Sequence, residues 1–557
     1  MAPPLEAEVT DLARRIAELG SGERAHVYRL SWWSERMLAW AMANPSFKTQ
    51  LFRLVDVFPA TTGDADALRH LHEYFAGADA PRLLDLGVGV AEHLPRGERL
   101  SAAVARRNIA RMAQQFIVGT TPTEVAGRLG RLWRAGTAST VDLLGEKTLT
   151  AVEADRYAAR VEELLRVLLD ASAGWAPDDH LERDDLGPLP RVSVSIKPSA
   201  LAPRFGPLTG AEAVARAADR LRPLLKLAVD RGAFVWLDSE DYDAKELTFD
   251  LFRRLLDEPD LARLDAGVVV QAYLKEAAAD LADLIAWSAR RTATVAGARP
   301  IGVRLVKGAY WDAETVQATA EGWPVPVFEE KGQTDANYER CTRLLHDHHG
   351  NVRAAFGSHN LRSLAYAIAY ARDVGIPDTG YELQMLYGMA EPVHAAIGRL
   401  GLRLRVYAPM GELVPGMSYL VRRLLENTSN ESFVRRQYAQ GRPGRPARDA
   451  SRSLDDLLVA PPPSELPGPT PPASRPATDP RQPGPYHHEP VAEWRRAGVR
   501  AAFAEAVEHR QTSVDGGGPL DVAAVIEGHE VHTRQTIASV DPAEPGRVVA
   551  TSASCGP

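Results

Sequence analysis

The sequence predicts an α/β protein whose main body is a closed barrel of eight β/α units, preceded by a helical region and followed by a Pro-rich linker and a further small segment. Three observations carry this reading. Downstream of residue 191, short apolar segments alternate with helical ones, at 192–196, 234–237, 268–270, 301–306, 352–356, 381–386 and 404–407. Such alternation over about 250 residues requires parallel strands joined by crossover helices, and at that length it favours closure. Each segment also ends on a polar residue. Lys197 follows SVSI, Asp238 follows FVWL, Gln271 follows VVV, and Arg304 with Lys307 ends the fourth. Ser358, His359 and Asn360 follow AAFG, Gln384 lies in the sixth, and Tyr407 ends the seventh. The carboxyl ends of barrel strands converge on one rim, where each desolvated polar group costs free energy unless something satisfies it. Seven such ends in succession therefore point to a site. The eighth strand is expected to be short, near residues 432–434.

The third observation is the stretch 404–427, LRVYAPMGELVPGMSYLVRRLLEN, which passes from a strand through a Pro/Gly turn into a two-faced helix. Met417, Leu420, Val421, Leu424 and Leu425 recur at the spacing of a packed stripe. Tyr419, Arg422, Arg423 and Glu426 share roughly the opposite face. Paired guanidinium groups between a phenol and a carboxylate make a planar surface suited to a small carboxylate or a phosphate. A solvated face laced with Arg and Glu is the alternative for the same pattern.

Composition sets the outer bounds. A chain of 557 residues exceeds what one hydrophobic core supports, so two or more domains are expected. The net charge of −8, without a long basic run, excludes sequence-independent nucleic-acid binding. No apolar run approaches the roughly 20 residues of a membrane span, and MAPPLEAEVTDLARR lacks the basic-then-apolar order of a signal peptide. The expected compartment is the cytoplasm. Cys341 and Cys555 are too few for a disulfide framework and read as ordinary thiols.

In chain order, residues 1–100 read as a helical arm and 101–188 as a helical domain, with amphipathic segments at 11–19, 104–117 and 154–169. LLDLGVG at 83–89 imitates a nucleotide-binding strand and glycine loop, but Ala91 replaces a third Gly and no βαβ continuation follows. The barrel is assigned to 189–440 and a Pro-rich linker to 441–489, with PPPSELPGPTPPASRPATDPRQPGP unable to pack a core. Beyond it, 492–507 reads as a helix and 520–549 as a hairpin or small sheet edge. His346, His348 and His349 lack an acidic or Cys partner at ligand spacing, so no metal is expected and a solvated helix end is the reading.

Several motifs carry a family resemblance: MAQQFIVG at Met112, DLLGEKT at Asp142, WLDSEDYD at Trp236, VRLVKGAYWD at Val303, FGSHN at Phe356, and YAPMG followed by YLVRRLLEN. Over about residues 100–440 the chain resembles the proline dehydrogenase part of the bifunctional flavoenzymes called proline utilization A. The resemblance implies a (βα)8 TIM-like barrel, bound FAD and oxidation of L-proline to pyrroline-5-carboxylate, the first step of proline catabolism to glutamate. Electrons would pass to a membrane quinone through peripheral contact with the inner face of the cell membrane, and homo-oligomerisation is left open. Residues 490–557 are similar to the opening of that family's aldehyde dehydrogenase module. Its NAD-dependent activity is expected to be absent from so short a segment.

The resemblance also implies roles. Arg422 and Arg423 would clamp the proline carboxylate, with Lys197 completing the polar ring and Glu426 ion-pairing within it beside the cofactor. Tyr407 and Tyr419 would wall the pyrrolidine ring. Arg304 would donate to flavin N5, Gln271 would bond the isoalloxazine edge, and Gln384 belongs to the same cofactor-binding set. Lys307, Gly308, Ala309, Tyr310 and Trp311 would approach the pyrophosphate and adenine side, and Ser358, His359 and Asn360 the ADP part. Asp238 would balance charge and orient the cations, with a general-base role as the alternative. If Arg423 holds the carboxylate, Arg423→Met should lower kcat/KM for proline by roughly 30-fold to several-thousand-fold, the range for truncating one partner of a buried charge pair. Flavin content should stay level. Unchanged kinetics in a fully flavinated variant would contradict the clamp.

Overall fold

The computed structural model describes residues 3–21, 116–145, 147–412 and 491–556, with isolated positions between them. Eight parallel strands close a barrel: β1 (Ala138–Leu143), β2 (Val192–Ile196), β3 (Ala233–Leu237), β4 (Asp265–Gln271), β5 (Ile301–Val306), β6 (Val352–Gly357), β7 (Tyr381–Leu386) and β8 (Leu404–Met410). They follow one another in chain order around the barrel, and β1 seals it by pairing with both β8 and β2. All seven segments recognised by their alternation are strands. The remaining strand is not downstream near 432–434, which lies outside the described residues. It is β1, inside the stretch read as a helical domain, so the barrel begins at Ala138 rather than 189. ASTVDL escaped notice because Thr140 and Asp142 face the barrel interior and, with Ser139 on the other face, break up the apolar run that marks a buried strand.

Register shows how the interior is filled. Ser195 pairs with Trp236, Trp236 with Gly267, and Gly267 with Gly302, so these residues share the inward face. A Cβ on Gly267 would stand 2.4 Å from the Trp236 ring, and one on Gly302 would stand 2.7 Å from Phe234. The two glycines therefore make room for Phe234 and Trp236, whose ring centroids lie 4.8 Å apart. Apolar residues of the opposite parity, such as Val194, Val235, Val268, Val303, Leu305, Phe356 and Leu383, are buried and form the core between strands and helices.

The outer helices are those the local sequence signals. Helix α1 (Pro3–Ser21) precedes the barrel and α2 (Pro122–Arg134) leads into β1. Helix α3 (Ala151–Ser172) follows β1 and opens with a Thr150–Glu153 capping box. Helix α4 (Gly210–Arg231) ends at left-handed Gly232, and α5 (Tyr242–Leu256) is capped by Asp241. Then come α6 (Ala277–Thr294), α7 (Trp311–Glu321), α8 (Lys331–Asp347), α9 (Leu361–Asp373) and α10 (Glu391–Arg399). Helix α9 is buried at every position from Leu361 to Ala369, which is unusual for an outer barrel helix. Its cause is α1, which packs against α9 and α10 through Leu5, Val9, Leu12, Ala13 and Ile16. Arg362 of α9 is buried and fixes that contact, donating to Glu6 of α1 at 2.5 Å and to Glu339 of α8 at 2.8 Å.

A second compact unit comprises residues 315–325 and 470–557. It contains a helix, Ala497–Gly517, beginning later than the expected 492. A short hairpin pairs Ala524–Ile526 with His529–Val531, and Thr536–Val540 pairs antiparallel with Val548–Ala553. Leu520–Val522 pairs in parallel with Val548–Ala553, so the alternating pattern read over 520–549 corresponds to a hairpin and a small three-stranded sheet. Among the described residues, no helix is long and apolar enough to cross a membrane.

The barrel interior sets a stability test. Gly302→Val drives a branched side chain into the Phe234 and Trp236 rings and should cost about 3 kcal/mol, the upper end for overpacking. Gly398→Ala, in α10 with open space around it, should instead stabilise by about 0.5–1 kcal/mol. Urea-unfolding midpoints measure both, and equal effects would contradict the packing described.

Candidate active site

Because the strands are parallel, their carboxyl ends bring distant residues to one rim. At its centre stand Asp238, one residue beyond β3, and Arg304 within β5, 7% and 4% exposed. Arg304 Nη1 donates to Asp238 Oδ1 at 2.8 Å and to Ser195 Oγ at 3.2 Å, and Ser195 Oγ donates to the same Oδ1 at 2.9 Å. Tyr407 OH donates to Asp238 Oδ2 at 2.7 Å. The Arg304 guanidinium also lies 4.5 Å from the Trp236 ring centroid and 5.2 Å from that of Tyr407, a cation–π arrangement. Its Nε and Nη2 are buried and have no acceptor among the described residues. Burial, reinforced by Asp142 and Asp238, pushes the Tyr407 phenol well above its ordinary range, so it remains a neutral donor.

Lys197 flanks this centre. Its ammonium pairs with the buried carboxylate of Asp142 on β1. Burial alone would lower the Lys197 pKa, but Asp142, Tyr157 and Asp238 outweigh it and hold the ammonium above the usual lysine range. Lys197 is thus a permanent cation on the rim.

The next strand ends form a second group. Gln271 Oε1 accepts from Ser239 Oγ at 3.2 Å. Lys307 Nζ donates to Asp335 of α8 at 2.5 Å, so its side chain is committed there; burial lowers its pKa and Asp335 opposes the shift. Gly308 has φ +129°, and a Cβ would meet the Tyr273 ring at 2.5 Å, so only Gly fits. Ala309 is exposed and Tyr310 half-buried. Trp311 starts α7, is 40% exposed and donates from its indole to Phe328 O at 2.8 Å. Ser358 N donates to Gln384 O at 3.1 Å, and Asn360 Oδ1 caps α9 by accepting from Ser363 N at 3.0 Å. His359 Nε2 accepts from Leu386 N at 3.0 Å, which leaves Nδ1 as its protonated nitrogen. Gln384 Nε2 donates to Glu382 Oε1 at 2.5 Å.

The structure therefore brings Asp238, Arg304 and Tyr407 into one hydrogen-bonded group with Ser195, sets Lys197 beside it on Asp142, and places Gln271 next to it through Ser239. Tyr419, Arg422, Arg423 and Glu426 lie outside the described residues. The sequence reading gave no role to Asp142, Ser195, Trp236 or Glu240. Ser195 and Asp142 were detectable as polar residues at inward, alternate positions of strands. Trp236 became significant only once Gly267 and Gly302 were seen to face it. The histidine reading needs correction for one member. His346 is buried rather than solvated, donates from Nε2 to Ala367 O at 3.0 Å, packs on Phe356 and Tyr381, and burial pulls its pKa down to about 4. His349 instead pairs with Asp185 at 2.7 Å, and among the described residues no three such groups converge as a metal site.

A parallel barrel with a buried cation–carboxylate centre at its carboxyl rim defines a β/α-barrel protein of the enzyme type. The family model for proline dehydrogenase matches residues 125–436, and that for the proline utilization A N-terminal domain matches residues 6–116. The chain belongs to the proline dehydrogenase family. It is 33% identical over 358 residues to the bifunctional protein PutA of Escherichia coli (strain K12), covering 63% of this chain and 25% of that protein. Proline dehydrogenase 1 of Bacillus subtilis (strain 168) is 27% identical over 322 residues, covering 58% of this chain and 89% of that protein. The crystal structure of proline utilization A from Bdellovibrio bacteriovorus inactivated by N-propargylglycine superimposes with a TM-score of 0.82 at 34% identity, covering 100% of this chain and 53% of that one. The chain thus spans about a quarter of its bifunctional curated relative and about half of this structural one.

Asp238 is the common partner of the central group, so Asp238→Asn leaves the Arg304 cation buried against a neutral amide. Breaking such a pair should cost about 3–5 kcal/mol, whereas Ser195→Ala should cost about 1 kcal/mol. Thermal unfolding of both variants checks this. Losses of equal, small size would contradict the central place of Asp238.

Proposed function

We propose that this chain oxidises L-proline to pyrroline-5-carboxylate with FAD held at the barrel rim, and that the electrons leave to a membrane quinone. The observation that carries the reading is the Arg304–Asp238 centre. Arg304 is oriented on one side by Asp238 and Ser195 and retains buried donors on Nε and Nη2 without an acceptor among the described residues. Unsatisfied buried donors of a fixed cation fit an acceptor-rich ring edge on which negative charge accumulates.

Under this reading, Arg304 and Gln271 would hold the isoalloxazine edge. Gly308, whose conformation admits no side chain, would let backbone approach the pyrophosphate, alongside Lys307, Ala309, Tyr310 and Trp311. Ser358, His359 and Asn360 would border the ADP part, with Gln384 and Glu426 in the same set. FAD would supply the acceptor for the two electrons that leave with hydrogen from proline Cδ. The chain supplies binding and electrostatics. Lys197, held charged by Asp142, would meet the substrate carboxylate together with Arg422 and Arg423. Tyr407, fixed by Asp238, and Tyr419 would wall the pyrrolidine ring and keep bulk water out. Asp238 would act as the charge partner that orients Arg304 and Tyr407.

Two measurements test the proposal. The purified protein should be yellow and release its flavin into the supernatant on acid precipitation, since no Cys or His matched to a tethering position stands on the rim. Anaerobic addition of L-proline should bleach the oxidised-flavin absorbance. A colourless protein, or a flavin band indifferent to proline, would contradict it.

A further inference from the structure

We propose that Glu240 is a positioning residue, which holds Lys197 in place by clamping the turn that follows it. The proposal rests on the reading above that Lys197 meets the substrate carboxylate. Glu240 lies in the loop after β3 and is buried. Its Oε1 accepts from Ser199 Oγ at 2.7 Å and its Oε2 from Ser199 N at 3.3 Å. Ser199 is buried in the short helical turn Pro198–Ala200, which Lys197 caps, and Ala200 N donates back to Lys197 O at 3.1 Å. Ser199 O in turn accepts from Thr148 N at 3.2 Å in the loop after β1, while Lys147 of that loop pairs with Asp241. Ser199 is thus where the loops after the first three strands are tied together, and Glu240 ties it.

A Gln could serve the same two groups, its Oε1 accepting from Ser199 N and its Nε2 donating to Ser199 Oγ, at much lower desolvation cost than a buried carboxylate. The charge therefore asks for a reason. Burial raises the Glu240 pKa, Ser199 opposes the rise, and two cations act on it, Lys197 and the Lys147 of the loop after β1. Lys197 sits within an arc of Asp142, Asp238 and Glu240, of which Asp142 touches its ammonium. Glu240 acts on this lysine twice, through the backbone of the turn and through its charge. Its carboxylate is spent on Ser199 and not on the rim's centre, so its effect on the reaction passes through Lys197.

The test uses the full chain carrying Glu240→Ala, Glu240→Gln or Ser199→Ala, with Lys197→Met as reference. Proline turnover with an artificial acceptor, flavin per protein, and the acylation rate of Lys197 read by mass spectrometry are measured for each. Glu240→Ala and Ser199→Ala should each raise KM for proline roughly ten-fold, with kcat within about three-fold, the size of one lost hydrogen bond to a charged group. Glu240→Gln, which keeps bonds to Ser199 and loses the charge, should recover most of that loss and leave a smaller rise in KM, the part owed to the charge. The Lys197→Met/Glu240→Ala double variant should be no worse than Lys197→Met. Lys197 should be acylated several-fold faster in Glu240→Ala and Ser199→Ala, because a loosened turn exposes it. If Lys197→Met leaves KM unchanged, the carboxylate reading fails, and the acylation rate alone decides the clamp: faster supports it, unchanged overturns it. Additive losses in the double variant overturn it. So does a fall in kcat and flavin content at constant KM. Should Glu240→Ala not fold, Ser199→Ala removes the same clamp and decides the question alone.

Discussion

A guanidinium and a carboxylate buried side by side near the axis of a closed barrel constrain much of what surrounds them. Removing either ion from water costs several kcal/mol, and their mutual attraction offsets this only when the remaining donors and lone pairs are satisfied. Asp238 meets that requirement with Arg304, Ser195 and Tyr407, drawn from strands β5, β2 and β8 and held in one geometry by barrel closure. Arg304 meets it in part, and its remaining donors define the direction from which a ligand would complete the site. A second pair, Lys197 with Asp142, repeats the device one strand over.

Below this polar layer the barrel is filled from one side. Phe234 and Trp236 project from β3 into space left by Gly267 and Gly302, and Arg304 stacks over Trp236. The ring is both the floor of the site and the packing element that replaces side chains from two neighbouring strands. At the opposite end of the strands, charges again occur in pairs. Arg353 bonds Asp184 at 2.8 Å and Asp265 at 3.0 Å, and Arg405 bonds both oxygens of Glu382 at 2.9 Å. Burial would raise the Glu382 pKa, but Arg405 outweighs it and keeps the carboxyl ionised. The interior is therefore a stack of paired charges and aromatic rings, and the aliphatic core lies outside the strands.

The helical surround contributes more than a coat. Helix α1 covers α9, and Arg362 beneath it joins Glu6, far upstream in the chain, to Glu339. The same helix α9 is capped by Asn360, next to Ser358 and His359. A segment distant in sequence thus braces the helix whose first turn borders the rim.

The sequence by itself determined the barrel class, seven of its strands, and the ring of polar residues at their ends, because alternation of short apolar runs with helices is a local property of the chain. It also made Lys197, Asp238, Arg304 and Tyr407 stand out, since a polar residue ending an apolar run is visible without coordinates. What required tertiary structure was everything that depends on pairing. The strand Ala138–Leu143 was hidden because its polar residues find partners elsewhere in the barrel, Thr140 in Ser193 at 2.8 Å and Asp142 in Lys197 just beyond β2. The glycines of β4 and β5 acquire meaning only from a ring on β3, and His346, polar in sequence, is buried by aromatic residues of other elements. Closure of the barrel decided these points, because it places side chains from different strands within hydrogen-bonding distance and removes the water that would otherwise satisfy them.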